Sequence, residues 1–312
     1  MEKSNLLYLS LLSFVLISTS AISISSQTDY FKIDTQKVLK EVNAKFLGKK
    51  YSDLPVLKDG ATFPIISAQS AVAIDLVSGV SLYEKDPNKK LLPASTTKIM
   101  TALVALDTYD LDQILKVGKI NVVGQKMGLV WGEEIKFIDL LKGLLIFSAN
   151  DAAEVLALNH PAGRDVFIGL MNKKAQDLGL KDTHFENPTG LDGNGGQYST
   201  TRDLVILSKQ AIKNPFFKEI VAIKNETVKS VDGKYIHRLI NINKLLGEVD
   251  GVYGVKTGWT ENARENLVSY LERDNRKIMI AVLGSSDRFG ETKELIKWIF
   301  DNYSWEEVKI PN

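Results

Sequence analysis

The chain has 312 residues, 44% of them hydrophobic and 25% charged, with a formal net charge of +1 and no cysteine. That composition suits a soluble globular core, as one large domain or two small ones. It offers no basic surplus to neutralise phosphates, which argues against a nucleic-acid partner, and without cysteine there are no disulfides, thiolate metal sites or lipobox-type lipid anchor.

At the N-terminus, Met1-Glu2-Lys3 leads into the apolar stretch Leu6–Ile17, and small hydroxyl-rich residues follow from Ser18. A short apolar segment with small residues behind it is the layout of a secretory signal peptide. Counted on to Ile24, it approaches the roughly 20 residues that cross a bilayer. Residues 1–25 are therefore read as a signal peptide or N-terminal membrane anchor, with residues 6–24 the candidate membrane contact. Either reading places the rest of the chain outside the cytoplasm. Residues 26–61 are mixed and charged, with Lys49, Lys50 and Pro55, and read as a linker or stalk. Residues 62–306 read as one folded domain and 307–312 as a tail.

Within the domain, Ser70–Leu76 and Val80–Tyr83 alternate around Ser78-Gly79, a hairpin signal. Helical spacing of apolar residues follows in Ser95–Leu106, Phe137–Phe147, Ala152–Leu158, Asp165–Leu178 and Arg202–Ile212, the last closed by Pro215. Strand-like segments return at Val252–Thr260, Asn266–Leu271 and Lys277–Gly284, the last two joined by Asp274-Asn275. A final stripe of Leu295, Ile299 and Phe300 reads as helix. The pattern predicts an α+β domain in which about five strands, two early and three late, share one sheet, with a helical region inserted between them.

Three motifs carry chemistry. Ser95-Thr96-Thr97-Lys98 is the only S-x-x-K in the chain. Residues three apart on a helix share a face, so the spacing sets an amine beside a hydroxyl. A serine needs such a base to become a nucleophile, and lysine serves only if burial or a nearby cation lowers its pKa. Taken alone, such a pair is more often solvated helix surface. Ser148-Ala149-Asn150 is the only S-x-N and closes the apolar run Leu140–Phe147. Lys256-Thr257-Gly258 is the only K-T-G and sits at the end of a strand-like stretch. No G-x-S-x-G elbow is present, and His160, His184 and His237 are scattered, which disfavours a Ser-His-Asp site. His184 and Glu186 have no evident third metal ligand; a structural hydrogen bond accounts for them better. No cofactor is expected.

In this order the motifs resemble the signature of class A β-lactamases and penicillin-binding proteins. More specifically, the chain resembles the low-molecular-mass penicillin-binding proteins, the D-alanyl-D-alanine carboxypeptidases of peptidase family S11. The likeness extends through Pro93–Thr101, Ser148–Ala153, Met171-Asn172, Leu178-Gly179-Leu180, Thr183–Leu191, Tyr198–Leu204 and Arg288-Phe289. It implies a serine β-lactamase/DD-peptidase-like fold with a five-stranded antiparallel sheet flanked by helices. It also implies a catalytic domain over 62–306 that removes the terminal D-alanine from peptidoglycan stem peptides through an acyl-enzyme on Ser95, which β-lactams would acylate in its place. Lys98 would take the Ser95 proton, with Lys256 as the cation that depresses it. Ser148 would relay a proton and Asn150 orient Lys98. Lys256 and Thr257 would meet the substrate carboxylate, Gly258 would let the peptide approach the strand edge, and the Ser95 and Trp259 N–H groups would hold the oxyanion. Arg288 is either a further carboxylate ligand or a surface arginine at a helix start.

Two positions depart from the family pattern. Arg264 follows Ala263 where glycine is usual, and a bulky residue there is expected to alter the flanking strand. Gln197 stands where histidine is common. Many relatives also carry a second domain and a C-terminal amphipathic anchor, so any membrane attachment is expected from the N-terminus. The same residues fit a DD-endopeptidase that cuts cross-links. A β-lactamase would need a deacylating glutamate, and Glu154 lies too close to Asn150 and within a helix. A degenerate wall-binding protein is the non-enzyme alternative, disfavoured by the intact Ser95, Lys98, Ser148, Asn150 and Lys256.

Overall fold

A five-stranded antiparallel sheet forms the centre, in the order β3-β2-β10-β9-β8. Its strands are β2 (Ser70–Asp75), β3 (Ser81–Lys85), β8 (Val252–Thr260), β9 (Arg264–Arg273) and β10 (Arg276–Ser285). The first and last parts of the domain thus share one sheet, as the strand pattern predicts, with β2 hydrogen-bonded to β10. These are the findings of a computed structural model that describes residues 53–306. The segment expected to be a signal or anchor (1–25), most of the expected linker (26–61) and the expected tail (307–312) lie outside the described residues.

β10 is buried on both faces, and the alternation of strand side chains divides its residues between two cores. Ile278, Ile280 and Val282 join Leu82, Leu267 and Leu271 on one face, covered by Leu295, Ile296, Trp298 and Ile299 of helix α7 (Arg288–Asn302). Met279, Ala281 and Leu283 face the larger core of the inserted helices. At Asp274 and Asn275 the backbone takes φ of 50° and 60°, the left-handed pair that a tight two-residue hairpin requires.

The inserted region holds α1 (Lys98–Thr108), α2 (Phe137–Ile146), α3 (Asn150–Leu158), α4 (Arg164–Asp177), α5 (Thr201–Ala211) and α6 (Pro215–Val221). In α2, Phe137, Leu140, Leu141, Leu144 and Leu145 are all buried, a stripe at the 3- and 4-residue steps of an amphipathic helix. Each such side chain stabilises by about 1.5–3 kcal/mol on burial, which fixes α2 and with it the start of α3.

Several elements escape the sequence reading. Pro215 ends α5 but also opens α6, where it occupies the first turn behind the Asn214 cap, whose side chain accepts from Phe217 N. Two small hairpins, β4 (Ile114–Lys116) with β5 (Glu134–Lys136) and β6 (Asn225–Lys229) with β7 (Ile236–Ile240), are too short to show a period. The linker boundary needs correction: Leu54–Leu57 forms β1, paired antiparallel with β11 (Tyr303–Glu306). Lys58 N donates to Asn302 O at 2.9 Å and Trp298 Nε1 to Thr62 O at 2.6 Å. The domain therefore includes residues from Asp53 onward rather than from 62. Four residues containing a proline give almost no strand signal, and a lone pairing partner is where proline is tolerated.

Candidate active site

The nucleophile candidate sits where a 3-10 turn, Ala94–Thr97, runs into α1. In a 3-10 turn residues i and i+3 eclipse, so Ser95 and Lys98 align more directly than on an α-helix. Lys98 Nζ lies 2.9 Å from Ser95 Oγ. Lys98 is wholly buried while Ser95 keeps partial exposure. Two further atoms meet Nζ: Asn150 Oδ1 at 2.6 Å and Thr189 O at 2.6 Å.

Those partners decide what the amine does. The Thr189 carbonyl can only accept. Asn150 presents its oxygen to Lys98 because its Nδ2 is committed to Val123 O at 2.7 Å. A neutral amine has two N–H groups for these two acceptors, which turns its lone pair toward the one partner able to donate, the Ser95 hydroxyl. Burial pushes the Lys98 pKa down to about 7, against the opposing pull of Asp151 and Glu154. The depression comes from burial and not from Lys256. The cation effect runs the other way: Lys256 is lowered well below an ordinary lysine by burial, then by Lys98 and Arg288.

Lys256, on β8, donates to Ser148 Oγ at 2.8 Å and to Thr257 O at 3.0 Å. Ser148 occupies the bend between α2 and α3 with φ of 61°, and Ala94 precedes the nucleophile with φ of 47°. Each non-glycine residue held there costs on the order of 1–3 kcal/mol, strain typical of functional sites. Gly190 explains how the segment carrying Thr189 comes so close: a Cβ at this position would overlap the Ala94 carbonyl. Its turn is set by Asn187 Oδ1, which accepts from Thr189 N, Thr189 Oγ1 and Gly190 N at 3.1, 2.7 and 2.8 Å.

β8 is an edge strand of the sheet, and it brings the third motif to the nucleophile. A Cβ on Gly258 would stand 3.0 Å from Pro93 O and 3.1 Å from Ser95 N, so any side chain there would crowd the two backbones apart. Trp259, next along, is 62% exposed. Arg288 belongs to this wall and not to the open surface: its Nη1 donates to Gly258 O at 2.8 Å. Thr257 Oγ1 and Arg288 Nε are buried without a partner among the described residues. The arrangement thus offers a hydroxyl with a matched base, a second hydroxyl–lysine pair, and buried donors beside an open strand edge.

All nine candidate residues are brought together around Ser95 and the end of β8. Not legible in the sequence were the Thr189 carbonyl, a backbone contact that leaves no compositional trace, and Asp151, which accepts from Met127, Gly128 and Leu129 N–H groups at 3.0, 2.9 and 3.1 Å. The two departures also resolve. Arg264 is exposed, adopts φ of 59° and pairs with Thr260 at the head of β9, so the position demands a left-handed backbone, hence glycine elsewhere, and the strand continues unaltered. Gln197 is buried and bridges Leu191 O and Glu186 N. Glu186 accepts from Asn194 N and Gly196 N, and His184 Nδ1 lies 3.0 Å from Gly196 O. Glu154 forms a two-pronged ion pair with Arg164 at 2.7 and 3.0 Å.

The sheet, the inserted helices and this serine–lysine cage have the layout of a serine peptidase whose candidate base is a lysine. The profile of peptidase family S11, D-alanyl-D-alanine carboxypeptidase, matches residues 58–287. The chain is 34% identical over 247 residues to D-alanyl-D-alanine carboxypeptidase DacF of Bacillus subtilis (strain 168), covering 76% of this chain and 63% of that one. It is 37% identical over 246 residues to D-alanyl-D-alanine carboxypeptidase DacB2 of Mycobacterium tuberculosis, covering 75% and 82%. The crystal structure of the Streptomyces K15 DD-transpeptidase matches with a TM-score of 0.73 at 33% identity, over 77% of this chain and 100% of that one. The chain belongs to peptidase family S11 and has its serine DD-peptidase fold.

Proposed function

We propose that the protein is a serine-type D-Ala-D-Ala carboxypeptidase acting on peptidoglycan stem peptides. The observation that carries this reading is the Lys98 amine, whose acceptors leave its lone pair for Ser95 Oγ 2.9 Å away. Ser95 Oγ attacks the carbonyl of the penultimate D-alanine as its proton passes to Lys98. The N–H groups of Ser95 and Trp259 hold the oxyanion. Collapse breaks the peptide bond, and the departing amine takes a proton delivered through Ser148, which Lys256 hydrogen-bonds. Water then hydrolyses the Ser95 ester by the same acid–base route. The substrate strand pairs along the β8 edge. Its terminal carboxylate meets Lys256, Thr257 and Arg288, giving a partner to Thr257 Oγ1 and Arg288 Nε, which have none among the described residues.

Such a substrate lies outside the cytoplasmic membrane, so residues 1–25 act as an export signal or anchor, with residues 6–24 as the membrane contact. No helix among the described residues is long and apolar enough to cross a membrane. The test is intact mass after incubation with a β-lactam, for wild type and Ser95→Ala, followed by D-alanine release from a D-Ala-D-Ala peptide. A stable adduct on wild type alone, with D-alanine released, is expected. Rapid antibiotic turnover without an adduct means a β-lactamase. Cleavage of cross-linked dimers but not of free stems means an endopeptidase. No adduct and no turnover means a degenerate site.

A further inference from the structure

His237 and Glu133 form a buried pair away from the reacting atoms, with side chains 4% and 0% exposed. His237 is on β7, in the small hairpin; Glu133 ends the irregular segment 118–132. Nε2 of the histidine lies 2.7 Å from Glu133 Oε1, and Nδ1 lies 3.1 Å from Met127 O. The Met127 carbonyl can only accept, so Nδ1 carries hydrogen, and one further proton bridges Nε2 and Oε1. Glu133 Oε2 accepts from Val130 N at 3.0 Å. Every polar atom of the pair is satisfied, and both residues grip the same segment.

That segment borders the cage. Asn150 N donates to Gln125 O at 2.7 Å and Asn150 Nδ2 to Val123 O at 2.7 Å. Met127 is held on both sides of its Cα, its N–H by Asp151 on α3 and its carbonyl by His237. His237 therefore connects to Asn150 through one hydrogen bond to Met127 and the loop backbone from Met127 to Gln125 and Val123, and Asn150 Oδ1 reaches Lys98. A buried ionisable pair is an expensive way to join two surface elements, since apolar residues of similar volume often serve as well or better. Its particular contribution is direction: it sets the Met127 peptide where packing alone would not.

We propose that His237, with Glu133, is a positioning residue for acylation of Ser95, holding segment 118–132 so that Asn150 presents its oxygen to Lys98. This rests on the reading of Ser95 as the acylated nucleophile. The experiment uses the full chain and a fluorescent penicillin, with the acylation rate constant and the pre-covalent dissociation constant measured separately, alongside amide exchange at Met127, Gly128 and Leu129. For His237→Leu the rate constant should fall by about 10–100-fold, as small misplacements of a reacting group do, with the dissociation constant within about twofold of wild type on the same principle. Exchange at the three amides should quicken. Glu133→Gln can donate to Nε2 and still accept from Val130 N, so it should retain most of the rate. If His237→Leu does not fold, His237→Gln takes its place with the same expected direction.

A folded His237 variant acylated as fast as wild type overturns the proposal, whatever its melting temperature, and so does unchanged exchange at the three amides. If wild type itself takes no label, the reading of Ser95 fails and the proposal falls with it. If wild type labels and the variants match it, only the inference about His237 fails.

Discussion

The pH dependence of Ser95 acylation follows from the burial of Lys98. With its pKa near 7, the amine is about half neutral at pH 7, about one tenth neutral at pH 6 and about one hundredth at pH 5. If neutral Lys98 is the base, the second-order acylation constant should climb about tenfold per pH unit from 5 to 6.5 and level off above 8. Stopped-flow labelling with a fluorescent penicillin measures this directly. The plateau-to-pH 5 ratio should be on the order of 100. The inflection tracks Lys98, whose depression comes from burial, while its charge in turn helps to depress Lys256. Folding stability gives an independent reading of the same group. The fall from 10.5 to about 7 corresponds to about 5 kcal/mol at about 1.36 kcal/mol per unit. Its sign is that of a cation depressed by folding. Below pH 7 both states hold the proton and the native state carries the full cost. Between pH 7 and 10.5 the unfolded chain binds more protons than the native one, so this destabilisation fades as pH rises. Relative to Lys98→Met, wild type should therefore gain stability across that window in urea titrations. An acylation profile flat from pH 5.5 to 8, or one inflecting near 10.5, would refute the burial argument.

Three other outcomes are expected. Arg264→Gly should stabilise by roughly 0.5–1 kcal/mol in urea unfolding, the left-handed strain of about 1–2 kcal/mol less about 0.5–1 for added chain entropy, with acylation unchanged. Gly190→Ala should cost both folding and acylation, because a Cβ overlaps the Ala94 carbonyl and the φ of 86° is unfavourable; an acylation rate equal to wild type would show that the Thr189 turn can move away without consequence. Arg288→Gln should lower kcat/KM for a carboxylate-ended peptide far more than for the same peptide amidated at its C-terminus, and equal losses on both would place Arg288 in support of β8 alone.

The sheet and the larger helices were readable because their patterns are clean: the unbroken apolar run of β10, the stripe in α2, the paired turn residues at 274 and 275. What escaped was short or encoded by the backbone. β1 has four residues and depends on partners 246 to 252 positions away, Leu57 on Tyr303 and Leu54 on Glu306, so no local pattern announces it. The motif residues were readable because serine, lysine and asparagine at those spacings have few other reasons to coincide. Their protonation logic was not, because it depends on the Thr189 carbonyl and on which way Asn150 turns.

That last point bears on how one lysine can serve as a base while another nearby stays a donor. Both Lys98 and Lys256 are buried and both are depressed, so their pKa values alone do not separate their roles. Their surroundings do. Lys98 meets two obligate acceptors and one hydroxyl, a set that a neutral amine completes with its lone pair on Ser95. Lys256 meets the Ser148 hydroxyl and the Thr257 carbonyl and stands beside Arg288, on the wall proposed for the substrate carboxylate. An arriving anion would raise the proton affinity of Lys256 and, by charging it, hold Lys98 neutral more firmly. Substrate binding would then prepare the base it needs, and a peptide lacking the carboxylate should acylate more slowly even at saturation.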